Sequence, residues 1–227
     1  MSKYKLLNII NLFLCVGIIL ACMGLIVYYH YIGDPLRRIS SCVLTSVVCI
    51  VPYVCQLIFK RKFSPVMILL YQLYVLVAAF VGSAVGVYKT HGYYDKIIHF
   101  LFGYTFNYIG IIIATRVVDK SKHPWFVLLV SFMFTMCSAA IWEVFEFSMD
   151  NLFGGTAQGP KVAYGTALVT DTMLDIIMGL GGAMLFAIQY TIHVVCHKNL
   201  LIDTTINDWD VHTPTKFSIA NSKKDDE

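Results

Sequence analysis

The feature that most constrains this chain is a series of six long apolar stretches separated by short polar connections. An α-helix needs about 20 residues to cross roughly 30 Å of hydrocarbon, and each stretch approaches or exceeds that length. The stretches are continuously apolar and lack the alternation of a membrane β-barrel, so each is expected to satisfy its backbone hydrogen bonds as a helix. The predicted spans are approximately residues 6–28, 39–59, 65–88, 97–118, 125–149 and 172–195.

This pattern predicts an all-α, polytopic membrane protein with six transmembrane helices in an up-down bundle. The transmembrane domain is expected to cover residues 1–195, and residues 196–227 form a polar cytoplasmic tail. Composition agrees, because 58% of the residues are hydrophobic and 14% are charged, whereas about a quarter of the residues in soluble domains are charged. We therefore expect the lipid bilayer to be the main partner of this chain.

The basic residues are divided unevenly between the two sides of the membrane. With the N-terminus inside, twelve of the 17 Lys and Arg residues fall in cytoplasmic segments and the other five fall outside. Cytoplasmic loops are enriched in Lys and Arg, so this asymmetry predicts that both termini are cytoplasmic. This distribution of Lys and Arg follows the membrane, so the net charge of +3 does not indicate a nucleic-acid-binding surface. We therefore expect no nucleic-acid partner.

The last three spans differ from the first three because each carries a stripe of small and polar residues. Spacings of three and four place the members of each stripe on one helix face, and such faces pack together inside membrane bundles. The three stripes are Asp95, His99, Gly103 and Asn107; Ser131, Thr135, Ala139, Glu143, Glu146 and Asp150; and Asp171, Asp175, Gly179, Gly182, Phe186, Gln189 and His193.

The acidic ends of the three stripes are predicted to meet at one side of the membrane. Asp95 and His99 open the fourth span, residues 143–150 close the fifth, and Asp171 opens the sixth. An up-down course brings these ends to the same face, which the charge asymmetry assigns to the outside. The Gly-rich connection over residues 151–170 is expected to cover this outward-facing cluster as an irregular lid.

Charged side chains at membrane depth are costly, and they mark functional sites. Asp95 and Asp171 can be explained as caps of helix N-termini, where a carboxylate meets free N–H groups and the helix dipole. Glu143, Glu146 and Asp175 resist this explanation, and Glu143 lies well inside its span. Opposite charge is scarce on this side of the membrane, because its cations are Lys89, Lys96 and Lys161 and none of them lies deep in a span.

Crowded carboxylates with few cations must hold protons or bind a cation. The first hypothesis is a divalent metal site, because carboxylate oxygens with one imidazole suit manganese, iron, magnesium or zinc. Glu143 and Glu146 are then also the candidate catalytic residues, as general bases in hydrolysis of a lipid-linked headgroup of the cell envelope. The predicted metal ligands are His99, Asp95, Glu143, Glu146, Asp171 and Asp175.

Two alternatives use the same residues without catalysis. In one, the carboxylates form the site of a small proton- or cation-coupled transporter. In the other, the polar faces only lock a bundle that binds an envelope partner or a lipid. Metal content and proton-dependent flux distinguish the three hypotheses.

Three motifs carry a resemblance to known families: DKIIHFLFGY, WEVFEF and DTMLDIIMGLGGA, all between residues 94 and 184. They resemble the small multi-span bacterial families called YjdF-like and VanZ-like, which share an Asp-x-x-x-His span start and a late acidic-to-Gly-Ala span. The YjdF-like pattern is closer, because the VanZ-like pattern has Glu-x-x-Gln and a basic residue where this chain has Glu143 and Glu146.

The resemblance implies a multi-pass protein of the cell envelope, in the bacterial cytoplasmic membrane, and the VanZ-like pattern implies glycopeptide tolerance. Neither family implies a reaction. By position, the resemblance points to the same six residues as the stripes do, namely Asp95, His99, Glu143, Glu146, Asp171 and Asp175.

Overall fold

The computed structural model describes residues 3–34, 36–60, 62–153 and 166–212. Within these ranges the chain is helical and forms no strand, so the predicted all-α class is confirmed. Six of the helices are long and apolar enough to cross a membrane. The elements are α1 (Lys3–Tyr31), α2 (Leu36–Phe59), α3 (Pro65–Val75), a π-helix (Leu76–Val85), α4 (Val87–Thr90), α5 (Tyr93–Thr115), α6 (Pro124–Phe153), α7 (Thr166–Cys196) and α8 (Ile202–His212).

The outward faces of these helices are apolar, as a bilayer requires. Side chains such as Phe13 and Leu57 are about three-quarters exposed, at 74% and 77%. A water-soluble protein rarely exposes contiguous apolar surface on this scale, whereas hydrocarbon accommodates it. Other exposed members are Leu12, Val27, Val117, Met133, Ile141, Val144, Ile177, Ile188 and Val195.

The contacts divide the chain into two compact units, Met1–Tyr94 with Asp203–Glu227, and Asp95–Ile202. In the first unit, α1, α2 and the third span enclose a core that includes the buried thiols of four cysteines. The fully buried Gln72 satisfies its amide there by donating to the backbone oxygen of Cys49 at 2.7 Å. The four cysteines are Cys15, Cys22, Cys42 and Cys49.

The third predicted span, residues 65–88, consists of two helix types instead of one continuous α-helix. The Ser64 hydroxyl caps α3 by accepting from the Met67 N–H at 3.3 Å. The π-helix that follows ends at Gly86, whose φ of 96° lies in the left-handed region and whose N–H donates to the Val81 carbonyl. A residue with a Cβ is strained in this conformation, so glycine is the residue that allows the turn.

In the second unit, α5, α6 and α7 pack along the predicted stripes. Ser131 on α6 donates to both the backbone and the side-chain oxygen of Asn107 on α5, each at 2.8 Å. Farther along, Glu143 of α6 lies beside His99 of α5. Residue numbers therefore fall along α6 as they rise along α5, and the two helices are antiparallel.

The backbones of α5 and α7 touch at glycines. A Cβ added to Gly103 would overlap the carbonyl group of Gly179, and a Cβ added to Gly182 would overlap the carbonyl oxygen of Phe100. Small residues allow this close approach, which drives helix association where lipid removes the usual hydrophobic gain. The two glycine contacts fix the separation of α5 and α7 near the middle of both helices.

The structure tests the two aspartates that were expected to cap helix N-termini, and one of them needs correction. The helix begins at Thr166, five residues before Asp171, so the expectation that Asp171 caps a helix N-terminus is wrong. The intervening TALVT contains no glycine or proline to stop the helix from extending. Asp95 does lie in the first turn of α5, where its charge favours the helix.

Other parts of the predicted organisation lie partly outside the described residues. The connection predicted as a lid covers residues 151–170, and its residues 154–165 lie outside the described residues. Residues 213–227 of the predicted polar tail lie outside them as well. The described part of that tail contains α8, which the polar composition did not predict.

Candidate metal centre

The six residues predicted as metal ligands lie together in the second unit, at one end of α5, α6 and α7. Each helix supplies two of them, one helical turn apart, so that both face the same side. Helix α5 supplies Asp95 and His99, α6 supplies Glu143 and Glu146, and α7 supplies Asp171 and Asp175.

The imidazole of His99 stands at the centre of this group and is 7% exposed. Its Nδ1 lies 3.6 Å from Oε1 of Glu143. Its Nε2 faces the other way, 3.6 Å from Oδ1 of Asp95 and 3.7 Å from Oδ1 of Asp175. The two ring nitrogens therefore face two different sets of carboxylates.

The first set, the glutamate subsite, consists of His99, Glu143 and Glu146. Each offers one ligand atom within 4.8 Å of the others. Trp142 donates its indole N–H to Oε1 of Glu146 at 2.9 Å and so holds that carboxylate in place. The stripe identified both glutamates but not Trp142, which precedes Glu146 by one helical turn.

The carboxylate of Glu143 is buried with little hydrogen bonding. The residue is 5% exposed, and among the described residues neither of its side-chain oxygens accepts a hydrogen bond of good distance and angle. The Thr172 side chain of α7 interacts with this carboxylate without meeting those limits. Burying an unsatisfied polar group is costly, and burying an unpaired charge costs more.

The second set, the aspartate cage, consists of Asp95, Asp171 and Asp175, and it surrounds the ammonium group of Lys96. The Nζ atom lies 2.5 Å from Oδ1 of Asp171, 2.8 Å from both oxygens of Asp175 and 3.3 Å from Oδ2 of Asp95. Asp175 is 1% exposed, and the side chain of Lys96 is 19% exposed. Lys96 is therefore part of the cluster.

Lys96 lies in the first turn of α5 and not deep in the span, and yet its ammonium reaches the carboxylates. A lysine near a helix end usually extends its side chain toward water. Here its four-carbon stem instead crosses from α5 to α7 and reaches Asp171 and Asp175, which share one face of α7. The sequence contained one signal for this contact. Lys96 precedes His99 by three residues, so both lie on nearby sides of α5.

The chemistry of the cluster fits a divalent cation. Carboxylate oxygens with one imidazole are the donor set that manganese, iron, magnesium and zinc share. Two groups of three residues meet the distance requirement for a metal site, one being the glutamate subsite and the other Asp95, His99 and Asp175. The chain thus has a His/Asp/Glu cluster that could hold a metal ion.

The chain matches a known protein family over most of its length. The family model described as predicted membrane protein (DUF2238) matches residues 10–195, from the first candidate membrane helix into the sixth. Neither the curated proteins nor the solved structures gave a match. The matched range includes all three helices that supply the cluster.

Proposed function

Because the chain belongs to the DUF2238 family of predicted membrane proteins, whose description names no ligand, we propose a function from its own residues: it holds a divalent metal ion within the membrane. The proposed ligands are the three residues of the glutamate subsite, His99, Glu143 and Glu146. Asp95, Asp171 and Asp175 surround them as the aspartate cage, with Lys96 as their counter-ion.

One observation carries this proposal: the buried carboxylate of Glu143, neither oxygen of which accepts a hydrogen bond of good distance and angle among the described residues. A carboxylate at this depth needs either a proton or a cation to offset the loss of water. Its nearest partner by ion-pair distance is the imidazole of His99 at 3.6 Å, and Glu146 completes the group. An imidazole and a second carboxylate add further ligands that favour a metal ion over a proton alone.

The separations suit an ion placed between these side chains. Ligand atoms bound at about 2.1 Å in a tetrahedral site are about 3.4 Å apart. The distance between Nδ1 of His99 and Oε1 of Glu143 is 3.6 Å, close to this value, and all three ligand atoms lie within 4.8 Å of one another. Binding an ion would therefore draw the side chains together by at most about 1.4 Å.

The other side of the imidazole supports the same assignment. A neutral histidine carries one ring proton, and ligation through Nδ1 leaves that proton on Nε2. Nε2 faces the carboxylates of Asp95 and Asp175 at 3.6 and 3.7 Å. Metal-bound histidines commonly point their second nitrogen at a carboxylate, which fixes the ring and strengthens it as a ligand.

Elemental analysis of protein purified in detergent without chelator tests the proposal. We expect about one divalent ion per chain in the wild type, and less than about a tenth of that in Glu143→Gln and His99→Ala, because each variant loses a ligand. Asp150→Asn is the matched control and should keep the wild-type metal content. Asp150 follows Glu146 by about one turn on α6 and belongs to neither group of three.

A wild-type protein without stoichiometric metal would contradict the proposal. If Glu143→Gln also abolished proton-dependent flux in liposomes, the small transporter would replace it. If the variants changed only thermal stability, the cluster would have a structural role.

The reaction that this site favours is hydrolysis of a lipid-linked headgroup. A bound divalent ion would supply a water of lowered pKa, and the oxygen of Glu143 or Glu146 that is not a ligand would accept its proton. The water oxygen would then attack the ester, the bond to the leaving oxygen would break, and the proton would pass from the glutamate to that oxygen. Access from the headgroup region is supported by the partial exposure of Asp95 and Asp171, at 29% and 28% of the side chain.

Release of a water-soluble headgroup from phospholipid in mixed micelles with added Mn²⁺ tests this reaction. We expect Glu143→Gln and Glu146→Gln to lower the rate by about 100-fold or more, as loss of a general base or ligand does. Asp150→Asn should stay within about twofold of the wild type, because Asp150 belongs to neither group of possible metal ligands. If the metal-loaded wild type releases no headgroup, the site binds metal but does not catalyse this reaction.

A further inference from the structure

We propose that Lys96 is a tethered occupant of a second cation subsite, the aspartate cage, and that its ammonium limits the cluster to one divalent ion. This inference rests on the proposed metal site in the glutamate subsite. It concerns different carboxylates and a different residue, so the two can fail separately.

The ammonium marks the position of the second subsite. Four oxygens from the three aspartates lie between 2.5 and 3.3 Å from Nζ of Lys96. Hard divalent cations bind oxygens at about 2.0–2.6 Å, so the cage needs only a small contraction to hold one. An ammonium group and a hard cation therefore seek the same ligands here.

Asp95 and Asp175 already satisfy the distance requirement for metal ligands. With His99 they form the second group whose ligand atoms lie within 4.8 Å of one another. Asp175 is almost fully buried, and both of its oxygens are directed at Lys96. These two aspartates thus form a built site and not a solvated acidic surface.

The ammonium and a divalent ion exclude each other at this position. Oδ1 of Asp175 lies 2.8 Å from Nζ of Lys96. The same oxygen lies 3.7 Å from Nε2 of His99. A divalent ion bound to it would lie within a few ångströms of the positive charge on Lys96. Like charges so close in a buried site repel strongly, so an ion can enter only when the lysine leaves.

The shared imidazole determines which ions suit the second subsite. When Nδ1 of His99 ligates an ion in the glutamate subsite, Nε2 carries the proton and cannot ligate. An ion in the aspartate cage must therefore be held by oxygens alone. Oxygen-only sites suit manganese, magnesium and calcium better than zinc.

Metal stoichiometry in Lys96→Gln tests this inference. The purified protein is stripped with chelator and then titrated with Mn²⁺, and bound ions are counted by equilibrium dialysis. We expect saturation at one Mn²⁺ in the wild type and at two in Lys96→Gln. Lys89→Gln is the matched control, because Lys89 is exposed on α4, and it should saturate at one.

The outcomes separate the two proposals. One ion in both the wild type and Lys96→Gln overturns the second subsite and leaves the first. No ion in the wild type but one in Lys96→Gln overturns the glutamate subsite and supports the inference. No ion in either protein overturns both.

A second variant covers the case in which Lys96→Gln does not fold. In Lys96→Gln/Asp171→Asn the lysine and one carboxylate are both neutralised, while Asp95 and Asp175 remain as ligands. We expect this double variant to bind one Mn²⁺ more than Asp171→Asn alone. Equal binding by the double and the single variant would overturn the inference.

Discussion

Gly182→Ala is expected to lower the stability of the second unit by about 1–3 kcal/mol, toward the upper end of the range for overpacked sites. The added Cβ would overlap the carbonyl oxygen of Phe100 and would also lie 2.8 Å from the backbone N of Tyr104. Both obstacles are backbone atoms, so no side-chain rotation relieves the clash and α7 has to move away from α5. The apparent melting temperature of the detergent-solubilised protein measures the loss.

Gly181→Ala is the matched control one residue earlier in the same helix. Its added Cβ would lie 3.4 and 3.5 Å from ring atoms of Phe100, which is ordinary van der Waals contact. Alanine is a better helix former than glycine by up to about 1 kcal/mol, so this variant should be as stable as the wild type or more stable. Equal destabilisation by both substitutions would contradict the backbone contact between α5 and α7.

Lys96→Met is expected to destabilise the metal-free protein by about 2–4 kcal/mol. Removing one partner of a buried ion pair costs about 3–5 kcal/mol, because the remaining charge has no compensation. The partial exposure of Asp95 and Asp171 screens some of that cost, whereas Asp175 is fully buried. Methionine keeps most of the length of the lysine stem, so the change isolates the charge.

Thermal unfolding in excess chelator measures this effect, with Lys89→Met as the exposed control. Adding Asp171→Asn to Lys96→Met removes one of the uncompensated carboxylates and should recover part of the lost stability. A Lys96→Met protein with wild-type stability in chelator would show that the ion pairs contribute little.

The six membrane-spanning segments followed from the sequence because the bilayer imposes a simple requirement. A segment that crosses hydrocarbon must be long, apolar and internally hydrogen-bonded, and helix length is readable from composition. The stripes were also readable, because a period of 3.6 residues decides which side chains share a face. His99, Asn107, Glu143 and Asp175 are all buried, as their stripes predicted.

Features that depend on helix ends and side-chain reach were less predictable. A hydropathy window does not distinguish an α-helix from the π-helix at Leu76–Val85, since both satisfy their backbone hydrogen bonds within the segment. The start of α7 at Thr166 was missed because apolar and hydroxyl residues are compatible with both a loop and a first helical turn.

The sequence predicted the carboxylates of the cluster but not the lysine that balances part of their charge. Helix direction was enough to bring Asp95, Glu143 and Asp171 to one end of the second unit. Periodicity describes where a Cβ points, and it says nothing about where a four-carbon side chain ends. The sequence therefore placed Lys96 on the same side as the carboxylates but did not show that its ammonium lies among three aspartates. The ligand set itself stays a prediction until metal is measured.

The glycine contact between α5 and α7 has a consequence for ionic radius. Gly103 follows His99 by one helical turn, and Gly179 follows Asp175 by one turn, so the backbones touch immediately below the cluster. A scaffold held at backbone contact cannot widen to accommodate a large ion with seven or eight ligands. We expect the aspartate cage of Lys96→Gln, whose ligands lie on α5 and α7, to prefer small, six-coordinate ions such as Mg²⁺ and Mn²⁺ over Ca²⁺, because the spacing of these two helices limits the size of the ion.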